Sequence, residues 1–186
     1  LPEHATEDEH LLLAAGRGDL DAFAEIVKRH QTWAWRIACR FLGQTQNAED
    51  VVQEAFLRLL QAAPRYDPRA AFRTYFYRII TRLCLDQAEK KHPFYTDCPP
   101  DIPDPGPDPA AQIMHRETSA AVRAALDRLP ANQRMAVVLR YHEDLNYIGI
   151  AEAMQISAKS VERLLSRARK RLRKLLPAQD YRENNF

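Results

Sequence analysis

Glycine is scarce in this chain, with five residues in 186. Folds built on tight hairpins or glycine-rich phosphate loops need more, because those turns use backbone angles that glycine alone adopts cheaply. Cysteine is scarcer still. Cys39, Cys84 and Cys98 are odd in number and far apart, with no Cys-x-x-Cys spacing. They carry no zinc signature and fit a reducing cytoplasm. Cys39 and Cys84 fall within apolar helical patterns, where a small core residue belongs. The six histidines are scattered and none pairs with another at ligand spacing, so no metal and no other cofactor is expected. No apolar run approaches the ~20 residues that cross a bilayer. The opening LPEHATEDEH is acidic and polar, unlike a signal peptide. Membrane insertion is therefore not expected, and the expected location is cytoplasmic. Clean alternating runs are also missing, which leaves helices.

What is present is strongly segregated. Seven of the twelve prolines lie between Pro93 and Pro109, together with Asp97, Asp101, Asp104 and Asp108 and no Lys or Arg. Proline fixes φ and removes a donor, so neither helix nor sheet persists through such a stretch. The chain reads as an all-α protein of two small helical domains joined by a Pro/Asp-rich linker. The boundaries are a tail over 1–10, a first domain over 11–92, the linker over 93–112, a second domain over 113–176 and a tail over 177–186. Helices are expected before Gly16, then from about Asp19 to Phe41, Ala48 to Ala62 and Arg69 to Lys90. Further helices are expected over 113–128, 131–143, 147–154 and 158–176, with Pro130 and Pro177 as punctuation.

The last of these carries the clearest pattern. A short helix, Tyr147 to Met154, meets the turn Gln155-Ile156-Ser157, and Ser157 is placed to cap a longer helix from Ala158. Val161, Leu164, Leu165, Ala168, Leu172 and Leu175 share one face at spacings of three and four, while Lys159, Arg163, Ser166 and Lys170 share the opposite one. Eight basic residues and one acid, Glu162, lie between Lys159 and Lys174, giving +7 where the whole chain carries +2, so the remainder sums to −5. Two helices at a tight turn with a cationic second helix form a helix-turn-helix, and concentrated charge is the footprint of a phosphate backbone.

Two constellations mark the first domain. On the helix Ala48 to Gln61, one stripe is apolar, while the other face carries Asp50, Gln53, Glu54 and Leu57. A leucine among carboxylates and amides suits protein docking around a small apolar anchor, although lone exposed leucines are also common. Between Arg65 and Arg82, Tyr66, Phe72, Tyr75, Phe76 and Tyr77 are interleaved with Arg65, Arg69, Arg73, Arg78 and Arg82. Ring faces stack on bases and guanidinium groups hold phosphates, the equipment for single-stranded nucleic acid. Phe72 and Phe76, four apart, read as the buried pair. Tyr66, Tyr75 and Tyr77 read as a wet surface.

With these residues in view, the chain resembles bacterial RNA polymerase sigma factors of the extracytoplasmic-function type over about residues 11–176. The similarity is carried by GDLDAFAEIVKRH (18–30), AEDVVQEAFLR (48–58), YDPRAAFRTYFYRI (66–79), LDRLPANQR (126–134) and the helix-turn-helix. The resemblance implies a transcription-initiation factor, not an enzyme. It implies that Asp50, Gln53, Glu54 and Leu57 dock to core RNA polymerase. Arg65, Tyr66, Arg73, Tyr75, Tyr77, Arg78 and Arg82 would hold the melted −10 element of promoter DNA. Lys159, Ser160, Glu162, Arg163, Ser166, Arg167 and Lys170 would face the −35 element. An anti-sigma partner is implied as well. The chain departs from its relatives' habits at Glu162, Arg82 and Gly149, where a basic residue, an asparagine and an acid are usual. Two other readings compete. A stand-alone helix-turn-helix regulator would need no single-strand surface, and an enzyme of nucleic-acid chemistry would need clustered carboxylates, a metal site or a phosphate loop.

Overall fold

The computed structural model describes residues 6–68, 71–90 and 120–176. The linker expected over 93–112, the tail over 177–186, Arg69, Cys98 and the helix start expected at 113 lie outside them. In chain order the helices are α1 (Glu7–Ala15), α2 (Leu20–Leu42), α3 (Thr45–Ala62), a short 3-10 turn (Ala63–Arg65), α4 (Phe72–Lys90), the described part of α5 (120–127), α6 (Ala131–Tyr141), α7 (Tyr147–Met154) and α8 (Ala158–Leu175). No strand occurs among the described residues. The protein is all-α, with α1–α4 forming one helical domain and α5–α8 the other.

Local signals set most helix ends. The Asp19 carboxylate accepts from Ala22 N–H at 2.9 Å and starts α2, while Gly43, at φ 70°, ends it with its N–H on the Cys39 carbonyl. Asn146 and Ser157 cap α7 and α8 in the same way, accepting from Gly149 and Ser160 N–H at 2.8 and 3.2 Å. Four boundaries differ from the sequence reading, one being α4, which starts at Phe72 instead of Arg69, Ala71 being non-helical. The first helix starts at Glu7, inside the stretch read as a tail, and α3 starts at Thr45, ahead of Ala48. Helix α6 stops at Tyr141 instead of 143, because Asp144 turns to φ 52° and Leu145 N–H closes back onto the Leu139 carbonyl at 3.1 Å.

Glu9 explains the early start of α1. One carboxylate oxygen accepts from Thr6 N–H at 2.6 Å and the other from Phe72 N–H at 3.1 Å. A single acid therefore satisfies the open amide ends of two helices, α1 and α4, and is itself only 5% exposed. The first core is built from Leu12, Ile26, Ile37, Phe41, Ala55, Phe56, Leu59, Phe72, Phe76 and Ile80, and Phe76 packs between Phe56 and Phe72 at centroid distances of 5.0 and 5.8 Å. Cys84 is a free thiol whose burial pushes its pKa up. Cys39 is buried too, but it is disulfide-bonded, which corrects its reading as a simple core thiol.

The second core (Val122, Leu126, Met135, Val138, Leu139, Ile150, Val161, Leu165, Leu172) runs continuously into the first, because α4 packs on α6 and α7, and α2 on α6. Arg134 of α6 lies at that junction. Its side chain is 1% exposed, pairs with Asp127 at 2.9 Å and places its guanidinium 4.6 Å from the Phe41 ring centroid of the first domain. Desolvation lowers its pKa, and the Asp127 carboxylate opposes that fall.

Two glycines make opposite demands. A Cβ on Gly16 would stand 2.4 Å from the Ala63 carbonyl oxygen, a backbone atom with nowhere to go. Gly16→Ala should therefore cost about 1–3 kcal/mol, read as a lower midpoint in urea unfolding. At Gly149 nothing is nearer than 3.6 Å, so Gly149→Ala should stabilise by about 0.5–1 kcal/mol through helix propensity.

Candidate nucleic-acid and protein interfaces

Helix α3 buries Val51, Val52, Ala55, Phe56 and Leu59, which turns Asp50, Gln53 and Leu57 outward and leaves Glu54 half-buried. The structure thus brings all four expected docking residues onto one outward strip. Leu57 is 49% exposed, one of three large apolar side chains exposed to that degree among the described residues. Its charged neighbours are lightly tied, Glu54 to Arg58 at 2.7 Å and Asp50 to Gln46 at 3.5 Å. Pairs this exposed contribute little and exchange readily for other partners.

The Arg65–Arg82 segment is brought together only in part. Arg65, Arg73 and Arg82 are exposed and Tyr75 is half-buried. Tyr66 and Tyr77, expected on a wet surface, are instead 8% and 4% exposed. Tyr66 follows the 3-10 turn and is pressed edge-on against Tyr75 at 5.3 Å. Tyr77 is covered by the second domain: its hydroxyl donates to Glu143 at 2.9 Å, and its ring meets Trp33 edge-on at 4.8 Å. Arg73 sits over both rings, 5.1 Å from the Trp33 centroid and 5.9 Å from that of Tyr77. Arg78 is half-buried, its Nε without a hydrogen-bond partner, in a groove shared with Ile148, Glu152 and Ser157.

Trp33, Arg40 and Glu143 were missed by the sequence reading. Trp33 lies within the helix expected from about Asp19 to Phe41, and Glu143 ends the one expected over 131–143. In the structure Trp33 Nε1 donates to Glu143 at 2.8 Å and Arg40 pairs with it at 3.3 Å, so three donors of the first domain converge on one carboxylate of the second. No local pattern marks that meeting, because the partners are up to 110 residues apart.

Helix α8 buries Val161, Leu165, Ala168 and Leu172. Lys159, Glu162, Arg163, Ser166, Arg167 and Lys170 are exposed and Ser160 half-buried, so the expected reading set shares a solvent face. The Ser160 hydroxyl accepts from Arg163 at 3.2 Å and fixes that guanidinium near the capped start. Arg169, one of the eight basic residues of the Lys159–Lys174 run, is half-buried and donates to the Tyr141 hydroxyl at 3.5 Å, a bond that raises its pKa. Among the described residues no three His, Cys, Asp or Glu side chains are grouped to hold a metal, and no helix is long and apolar enough to cross a membrane.

Residues 26–93 match the family model for Sigma-70 region 2, and residues 119–172 match that for Sigma-70, region 4. The chain is 33% identical over 171 residues to the ECF RNA polymerase sigma factor SigW of Bacillus subtilis, covering 86% of this chain and 91% of that protein. It is 33% identical over 175 residues to the ECF RNA polymerase sigma factor SigM of Mycobacterium tuberculosis, covering 93% of this chain and 86% of the other. Among solved structures, CnrH in complex with the cytosolic domain of CnrY superposes with a TM-score of 0.68 at 25% identity, over 91% of this chain and 97% of that one. The Bartonella quintana sigma factor RpoE, in complex with the anti-sigma factor NepR, shares the fold with a TM-score of 0.63 at 16% identity, over 82% and 95% of the two chains.

Burial has a titratable consequence. It pushes the phenols of Tyr66 and Tyr77 up to about 12, from an ordinary value near 10, and in Tyr77 the Glu143 carboxylate adds to the rise. The folded state then holds these protons more tightly than the unfolded chain. Their stabilisation is complete below pH 10 and lost as pH rises towards 12. In a phenolate absorbance titration of the folded protein, Tyr66→Phe and Tyr77→Phe should each remove one late-ionising group.

Proposed function

The chain belongs to the extracytoplasmic-function RNA polymerase sigma factors, and on that premise we propose that it docks to core polymerase through α3 and reads promoter DNA through α4 and α8. Sigma factors are transcription-initiation factors, and the protein acts by positioning polymerase. The observation that carries the reading is the exposure pattern of α8. Its apolar stripe is buried, its N-terminus is capped by Ser157, and its cationic face stands in solvent. In helix-turn-helix proteins the start of that helix enters the major groove. Lys159, Ser160, Glu162, Arg163, Ser166, Arg167 and Lys170 are the residues that meet −35 DNA, with Arg163 and Glu162 addressing base edges. Arg171 and Lys174, exposed further along, meet phosphates.

Asp50, Gln53, Glu54 and Leu57 form the polymerase-docking patch. Leu57 supplies the apolar anchor and the acids set the charge of the partner surface. On α4 and the turn before it, Arg65, Arg73 and Arg82 are exposed and Tyr75 is half-buried, so in this arrangement they form only part of the surface for the unpaired −10 strand. Tyr66, Tyr77 and Arg78 take part only as their cover moves. The α3 patch and the arginine-aromatic cluster favour this function over a stand-alone helix-turn-helix regulator, which would use neither. The first domain begins with α1 at Glu7, ahead of the expected 11, and runs to 92; the second keeps the expected limits, 113–176, and the cytoplasm, where the polymerase works, is the site of action. Control by an anti-sigma protein is supported by the likeness to CnrH, a protein solved with the cytosolic domain of CnrY bound.

Asp50→Arg combined with Leu57→Glu should weaken association with core polymerase by about 30-fold or more, the scale of one hot-spot residue, with helicity and urea midpoint nearly unchanged. Promoter-specific initiation by the double variant would place the patch elsewhere. For α8, a randomised −35 duplex library selected at fixed salt separates the roles. Arg163→Ala or Glu162→Ala should flatten preference at one or two positions, worth about 1–3 kcal/mol each. Arg171→Ala should weaken all sequences alike and reduce the salt slope by about one.

A further inference from the structure

We propose that Glu143 is a latch that closes the two domains over Trp33 and Tyr77, giving a state open to core polymerase and duplex −35 DNA but shut to single-stranded −10 DNA. The inference rests on the function proposed above for the α4 surface. Its physical basis is one carboxylate with an unusual set of donors. The Glu143 side chain is 6% exposed. Oε2 accepts from Trp33 Nε1 at 2.8 Å and from the Tyr77 hydroxyl at 2.9 Å, while Oε1 pairs with Arg40 at 3.3 Å. All three donors belong to α2 and α4, and the acceptor stands in the turn after α6. A carboxylate so far removed from water is tolerated only while such donors face it, so the closed state is specific to this pairing.

What the latch covers is as telling as how it holds. Trp33 and Tyr77 bring two rings together edge-on beside the exposed Arg73 guanidinium, aromatic surface for a base with a phosphate-binding group next to it. With Glu143 seated, Tyr77 is 4% exposed and offers no face to a base. The α3 strip and the α8 reading face are both exposed in the same structure. Docking and −35 recognition are thus available before opening, while −10 capture requires it. Arg134, buried against Phe41 with Asp127, is a second contact across the same junction and makes the closed arrangement cooperative.

The test uses the full chain with Trp35→Phe, so that Trp33 is the one remaining tryptophan, and compares Glu143 with Glu143→Gln and Glu143→Ala. Small-angle scattering reads domain separation, acrylamide quenching reads exposure of Trp33, and titrations with labelled single-stranded and duplex DNA pools read the two binding modes. Glu143→Ala should enlarge the particle and expose Trp33. If the open form is a tenth of the wild-type population or less, single-strand affinity should rise about tenfold or more. Duplex affinity should change less than about twofold, because α8 is already free; a gain from the lost negative charge alone would raise both together. Glu143→Gln should show a smaller effect in the same direction. Arg40→Met, which removes a donor from the other domain, should reproduce the opening and guards against a local defect at the α6 turn. Unchanged scattering and quenching in all three variants would overturn the latch while leaving polymerase-dependent initiation intact. Opening without any rise in single-strand affinity would overturn the covered −10 surface, and with it that part of the function proposed above. An equal rise for single strand and duplex would overturn the selective closure.

Discussion

A carboxylate taken out of water must be met by donors, and two such groups organise this protein. Glu9 ties the start of α1 to the start of α4, and Glu143 ties the second domain to α2 and α4. Glu9 sits where two helices present unused N–H groups, and Glu143 where Trp33 and Tyr77 direct their polar hydrogens at the second domain. The first interaction sets how α4 enters the bundle, and therefore which way its rings and arginines face. The second decides which of them the solvent meets.

The consequences reach the functional surfaces through packing. Phe72 and Phe76 fill the space between α2, α3 and α4, and their burial orients the intervening Arg73 outward. The same rotation carries Tyr77 to the side on which α6 and α7 rest. On α8 the division is simpler: a strong apolar stripe is buried on α6 and α7, and the opposite face has no competitor but water. Charge follows that division. The cationic helix is left open, whereas the arginine-aromatic cluster is partly roofed. A promoter-binding protein with one reading surface open and the other covered can order its contacts in time. With the Glu143 latch proposed above, polymerase and the −35 duplex would come first, and the melted strand once the domains part.

The arrangement also explains why sites on the same protein behave so differently as chemistry. Asp50 and Glu54 on α3 are solvated and weakly paired, which leaves them available to a partner. Glu143 and Arg134 are desolvated and held, so their partners cannot be removed without leaving a buried charge. Exchangeable charges suit docking, and committed charges suit a junction that must have one geometry.

The sequence by itself determined what depends on neighbours a turn away. The helix-turn-helix, the cap at Ser157, the outward strip of α3 and the cationic face of α8 all follow from spacings of three and four. The bounds of most helices follow from the same signals. Glu9 and Glu143 escaped that reading, as did the fates of Tyr66, Tyr77, Arg134 and Arg169. A lone acid in a polar tail and another at a helix end look solvated when only their neighbours are known. Their donors lie far off in the chain, Phe72 at a separation of 63 residues from Glu9, and Tyr77 and Trp33 at 66 and 110 from Glu143. Periodicity says which face of a helix is apolar, but not what comes to cover the other. Only tertiary structure decides that, because burial and hydrogen bonding of a polar side chain are properties of what packs against it.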